Sequence, residues 1–368
     1  MRYKFFHNLI KIIIINICIF SALFILAEIG IRSIWSIKHF KNPYANYWGK
    51  THYNIFSEHN SYVSLDLNLG FLPKKGFNNS KIDIARWPKN TKVSINNDRF
   101  RENDNKNLIF LENERILVVG DSFAFGDQVS NNETWPSCIE KKLKIKTDNG
   151  GVSGYGAAQS VLRAKHEILK RNYSIVIWSI FFEDFSRDLK FEKAFPTVVK
   201  GDNKLYHKKI EVDYNKVIKK RNIIKDFFLK YSFILYKSND IYVSKFKNKK
   251  DTKEKKESDK TKTSLKEVVS FAVNNFSKID KKKIIVIQSP DQSKNSSENE
   301  KLSRNKTIKL LKDHLLFEIS KYKIPTIDMQ NIFKKFSEDE KRMFWYDHYT
   351  LEGNNIVCEE IVNLINKY

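Results

Sequence analysis

Cysteine is scarce in this chain. The three residues, Cys18, Cys138 and Cys358, form no CxxC pair and stand in no cluster with histidine, so no metal centre is expected. Cys18 lies in an apolar N-terminal segment, which leaves at most one disulfide for the remainder. Glycine is also thin, at 12 of 368 residues, and nowhere forms a GxGxxG or GxxxxGK[ST] phosphate loop. A nucleotide cofactor is therefore not expected, and no cofactor of any kind is implied. Acidic residues are outnumbered, 43 against 66 lysines and arginines, for a formal net charge of +23. Such a balance can mark a nucleic-acid-binding chain. Here lysine is spread among asparagine and isoleucine, with no helix-turn-helix, zinc-finger or aromatic RNA-binding pattern. The charge reads as solvated basic faces, with anionic lipid or glycan as secondary contacts, and nucleic acid is not an expected partner. The residues do not indicate an oligomeric state.

What the sequence does have is a nearly continuous apolar run, Leu9–Ala27, interrupted by Lys11 and Asn16. About 20 apolar residues cross a bilayer as a helix, and Lys11 is near enough to the end to snorkel. A cleaved signal peptide is the alternative, but Ala27-Glu28-Ile29-Gly30 makes a poor cleavage site. The expectation is one uncleaved N-terminal transmembrane helix within residues 1–37. Arg2, Lys4 and Lys11 before it nearly balance Arg32, Lys38 and Lys41 after it, so the positive-inside rule does not set its orientation.

Residues 38–113 are polar and aromatic with many turn signals, and fragments such as Lys92-Val93-Ser94-Ile95 alternate like short strands. This reads as a β-rich lead-in to a main domain over 114–368. In that domain, strand-like runs at Arg115–Gly120, Ser174–Phe182, Lys283–Ser289 and Ile324–Met329 alternate with helical patterns at Ile139–Leu143, Ala157–Lys170, Lys301–Tyr322 and Glu352–Tyr368. A further short strand is expected before Asn149. The alternation predicts a parallel, flavodoxin-like sheet covered on both faces, a three-layer α/β/α sandwich. An insertion at about 200–263 breaks the pattern, and its part Ser244–Lys262 is charged, low in complexity and expected to be disordered.

The stretch Arg115–Gln128, RILVVGDSFAFGDQ, bears most directly on function. Its apolar strand ends at Gly120-Asp121-Ser122, placing Ser122 at the carboxyl end of a strand, where open α/β sheets bind ligands. A serine there can act as a nucleophile when a base lies within hydrogen-bond reach. Asp347-His348, near the C-terminus, offers one. Between them come Asn149-Gly150-Gly151-Val152-Ser153-Gly154-Tyr155-Gly156 and Phe181-Phe182-Glu183-Asp184-Phe185, and the last block runs Asp347-His348-Tyr349-Thr350-Leu351-Glu352-Gly353.

With these four ordered blocks the chain resembles the SGNH hydrolase superfamily, the GDSL esterases and lipases, and most of all its bacterial membrane-anchored members. The resemblance runs from about Gly70 to the C-terminus outside the insertion, and includes Ile95–Arg101 as the family's lead-in segment. It implies an enzyme in which Ser122 is the nucleophile, His348 the base and then the acid, and Asp347 the orienting carboxylate. The backbone N–H groups of Ser122 and Gly154 would form the oxyanion hole. The reaction implied is hydrolysis or transfer of an O-acyl group through an acyl-serine. The substrate class implied is an acylated glycan or other ester of the cell envelope or secreted material. The domain would face the extracytoplasmic side of a bacterial inner membrane.

Two departures accompany the resemblance. The family's third block carries an asparagine amide as an oxyanion donor, followed by aspartate, whereas this chain has Glu183-Asp184. An ionised glutamate has no N–H to donate. Glu183 is then protonated, or points away, or the site is impaired. Asp347 adjoins His348 directly, where the family's aspartate lies two or three residues earlier. It can serve the dipole of the closing helix instead, leaving a backbone carbonyl to orient the imidazole. The alternative to an enzyme is a catalytically inactive SGNH-fold protein that binds carbohydrate or serves assembly.

Overall fold

The computed structural model describes residues 2–39, 62–66, 68–79, 91–105, 107–189, 197–201, 204–208, 264–288, 298–344 and 348–367. Contacts divide the chain into two units, 1–54 with 213–260 and 55–212 with 261–368. In the first, helix α1 (Arg2–His39) contains Phe6–Gly30, 25 residues of mean hydropathy 2.7 that are long and apolar enough to cross a membrane. The polar interruption is absorbed within the helix, where the Asn16 amide donates to the Ile12 carbonyl at 2.9 Å. The stretch 209–263, with the expected disordered segment, lies outside the described residues.

In the second unit the lead-in forms two antiparallel pairs, β1 (Val63–Asp66) with β2 (Gly70–Pro73) and β3 (Asn78–Asn79) with β4 (Val93–Ser94). The main sheet holds β5 (Arg115–Gly120), β6 (Lys146–Gly151), β7 (Ile175–Ile180), β10 (Lys282–Ile287) and β11 (Thr326–Asp328). Strands β8 (Thr197–Lys200) and β9 (Leu205–Lys208) form a separate hairpin. The sheet order is β11-β10-β7-β5-β6, every pair parallel. Counted within the sheet this is 2-1-3-4-5, the flavodoxin-like order, with its switch point between β5 and β7.

Period-2 alternation divides the sheet's side chains between two cores. Leu117, Val119, Val176, Trp178, Ile285 and Ile287 pack on one face, beneath α4 (Ala157–Ile168), α6 (Leu265–Ser277) and α7 (Glu298–Ser320). Ile116, Val118, Ile175, Ile177, Ile284 and Val286 pack on the other, against α3 (Trp135–Leu143), α8 (Met329–Phe333) and α10 (Leu351–Ile365). Burial on both faces is why β5, β7 and β10 read as mostly apolar runs rather than as alternating patterns. On the second face a disulfide joins Cys138 of α3 to Cys358 of α10. The short helices α2 (Ser122–Phe125), α5 (Phe182–Arg187) and α9 (Glu338–Phe344) complete the unit.

Edge strand β6 is polar, KTDNGG, yet buried, because its side chains are bonded. Asp148 accepts from the Arg115 guanidinium at 2.9 Å and the Tyr173 phenol at 2.8 Å. The lead-in reaches its outer edge, where the Arg101 N–H donates to the Asn149 carbonyl at 3.0 Å. An edge covered this way does not template pairing with another chain.

Candidate active site

Strand β5 ends at Gly120, and the Asp121 carboxylate caps the next helix by accepting the Phe123 N–H at 3.0 Å. Ser122 is the first residue of that helix, so its own N–H has no intrahelical acceptor. The turn stands at the switch point of the sheet, on the carboxyl edge. Behind it, the buried Arg101 guanidinium donates to the carbonyls of Phe125, Gly126 and Val129, and to Asn131 Oδ1 at 3.2 Å. Burial pulls that guanidinium down to about 10, against the carboxylate of Asp127.

His348 Nε2 lies 2.8 Å from Ser122 Oγ, across 226 residues of sequence. The His348 N–H donates to Gln128 Oε1 at 3.1 Å, and the ring packs on Phe123 at 4.9 Å between centroids. Its neighbour Tyr349 is buried, its phenol donating to Gln288 Oε1 at 2.9 Å. Thr350 then caps α10. The imidazole is thus held between the Ser122 helix and the start of the closing helix. For the serine hydroxyl to donate to Nε2, the ring proton must sit on Nδ1. That nitrogen is buried and has no hydrogen-bond partner among the described residues. Asp347 lies outside the described residues.

A carboxylate that sequence reasoning did not single out stands beside this pair. Asp127 Oδ2 is 4.0 Å from His348 Nε2, and Asp127 Oδ1 accepts the Ser153 hydroxyl. The Asp127 N–H donates to the Ser122 carbonyl at 3.1 Å, tying the two backbones together. Burial pushes the Asp127 carboxyl up, opposed by His348, Ser153 and Arg101. Asp127 sits within the motif stretch, but only the turn after α2 brings it back toward Ser122, and no spacing rule signals that.

The remaining predicted residues fall on the same edge of the sheet. Gly154 follows β6 with φ +85°, a left-handed conformation suited to glycine, and nothing lies within 4 Å of where a Cβ would be. Glu183 and Asp184 open α5 at the end of β7. Glu183 is half-buried. Asp184 is a structural acid: it accepts the Phe181 N–H at 3.0 Å and pairs with Arg187, which also reaches Asp121 at 3.4 Å and the Tyr155 carbonyl at 3.0 Å. Burial and the nearby Asp121 push Asp184 well above the ordinary carboxylate range, against the pull of Arg187. No cluster of metal-ligating residues occurs among the described residues.

Gly151 sets how closely β6 approaches α2. A Cβ there would stand 2.2 Å from the Phe125 nitrogen and 2.5 Å from the Ala124 carbonyl carbon. Both are backbone atoms and cannot rotate away. Gly151→Ala is expected to cost about 1–3 kcal/mol of stability, as overpacking does. It should also displace Ser122 from His348, and a urea melt reads the cost in stability.

No protein-family model matches the sequence, and no curated protein sequence does. Solved structures do. The chain is similar to a member of the lipolytic protein G-D-S-L family from Veillonella parvula at 10% identity and TM-score 0.40, over 69% of this chain and 100% of that one. It is similar to the lipase/acylhydrolase from Enterococcus faecalis at 14% identity and TM-score 0.38, over 68% and 95%. It is also similar to a GDSL-like lipase from Bacteroides thetaiotaomicron at 15% identity and TM-score 0.34, over 69% and 88%.

Proposed function

We propose that this chain is a serine esterase of the SGNH hydrolase superfamily, acting on O-acyl esters through an acyl-serine intermediate. The observation that carries this reading is the 2.8 Å contact between Ser122 Oγ and His348 Nε2 at the carboxyl end of the central strand. His348 takes the Ser122 proton as Oγ attacks the ester carbonyl, then gives it to the leaving alcohol. The oxyanion meets the Ser122 and Gly154 N–H groups, each such donor lowering the barrier by about 3 kcal/mol. Asp347 is the proposed orienting acid for the imidazole. With Glu183 in place of an asparagine, the two backbone donors carry the oxyanion. No cofactor enters the reaction.

Residues 1–37 are proposed as an uncleaved membrane anchor, 38–113 as the lead-in and 114–368 as the hydrolase-like domain. The Cys138–Cys358 disulfide supports an extracytoplasmic placement, because such bonds persist in oxidising compartments. The proposed substrate is an acylated glycan of the envelope or of secreted material, with water or a sugar hydroxyl as acceptor. The test is covalent labelling of the detergent-solubilised full chain with a fluorophosphonate probe. Wild type should label at Ser122 and Ser122→Ala should not. A folded wild type that neither labels nor turns over an aryl ester would favour the non-catalytic carbohydrate-binding reading, which Glu183 motivates.

A further inference from the structure

Water and a sugar hydroxyl compete for the same acyl-serine, and the two differ in the number of protons their oxygen carries. We propose that Asp127 positions the attacking water and thereby commits the acyl-enzyme to hydrolysis rather than transfer, an inference that rests on the esterase reading. In the acyl-enzyme Ser122 Oγ has lost its proton, so His348 Nε2 is open to the incoming nucleophile. Asp127 Oδ2 stands 4.0 Å from that nitrogen, beyond hydrogen-bond distance. One oxygen about 2.8 Å from each atom fits between them with a near-right angle at that oxygen, which suits the two O–H bonds of water. One proton points to Nε2, the other to Oδ2.

An alcohol has a single proton. Once that proton is directed to Nε2, the alcohol turns lone pairs and its carbon substituent toward Oδ2, and an ionised carboxylate repels the lone pairs. The carboxylate cannot readily turn aside. Its other oxygen holds the Ser153 hydroxyl, and its backbone N–H is bonded to the Ser122 carbonyl.

Deacylation then runs as follows. The water oxygen bonds to the acyl carbon and the carbonyl electron pair moves to oxygen. One water proton passes to Nε2. Collapse breaks the acyl carbon–Oγ bond and Nε2 returns the proton to Oγ, releasing the carboxylic acid. Asp127 holds the second water proton in a hydrogen bond throughout and takes none.

The experiment feeds the detergent-solubilised full chain an aryl acetate in the presence of methanol or a monosaccharide. It measures the ratio of acyl ester to free acid. Wild type should give chiefly acid. Asp127→Asn replaces the carboxylate by an amide that donates to an alcohol lone pair, and should raise the ester-to-acid ratio about ten-fold or more, the scale of one charge-assisted hydrogen bond. The ratio cancels any loss common to both acceptors, including a slower acylation. Ser153→Ala, which frees the carboxylate to turn, should shift the ratio in the same direction by less. It decides the matter if Asp127→Asn does not melt cooperatively. An unchanged ratio in a folded variant that still takes the fluorophosphonate label overturns the role of Asp127. Failure of wild type to label overturns the esterase reading itself, and this inference with it.

Discussion

Replacing His348 by alanine is expected to lower kcat/KM for an aryl ester by about four orders of magnitude or more, as loss of a base in a serine hydrolase does. The melting transition should barely move. The two effects separate because His348 is a poor packing residue. Its side chain is 24% exposed and its ring rests on Phe123, while the core below is closed by the buried Tyr349. The sharper measurement is the double variant. If Ser122 and His348 act as one unit across their 2.8 Å contact, Ser122→Ala with His348→Ala loses no more activity than either alone. Losses that multiply would mean that the two residues act independently, and the assignment of His348 as the base would fall.

Much of the fold can be read from the sequence because the central strands are buried on both faces. Ile116–Val119, Ile175–Ile180 and Ile284–Ile287 appear as apolar runs for that reason alone. The Ser122 turn and the closing helix after His348 are legible for a similar local reason, since cap and apolar period lie side by side in the chain. Strand β6 is much less legible. Its Asp148 and Asn149 are buried through bonds to Arg115, Tyr173 and the Phe125 carbonyl, which lie far away in sequence, so its composition resembles a turn. The same limit hides Asp127 and the clamp made by Arg101. A buried charge shows its purpose only through its partners, and those are set by the tertiary fold. The cysteines follow this pattern too. Counting them permits one disulfide at most, but only the packing of α3 and α10 on one face of the sheet brings Cys138 to Cys358.

That disulfide carries the second large expected effect. It closes a loop of 220 residues, and the chain-entropy model assigns a crosslink of that span about 5 kcal/mol of stability, an upper value given how often measured gains fall short. Cys138→Ser with Cys358→Ser is therefore expected to lose several kcal/mol in a urea melt, and reductant should destabilise wild type but not the double variant. Activity should fall with stability, because α10 starts two residues after Tyr349 and its dock on α3 steadies the segment that presents His348. The other ties between these helices are slight: the Trp135 N–H on Asn354 Oδ1 at 3.0 Å and an exposed Lys142–Glu359 pair. An exposed ion pair contributes at most about 1 kcal/mol, so the apolar contacts around Ile139, Val357 and Ile361 would be the main hold on α10 once the crosslink is cut. If reductant leaves both melt and turnover of wild type unchanged, the crosslink is not what keeps His348 in reach of Ser122. The shared apolar face would then be sufficient for that alignment.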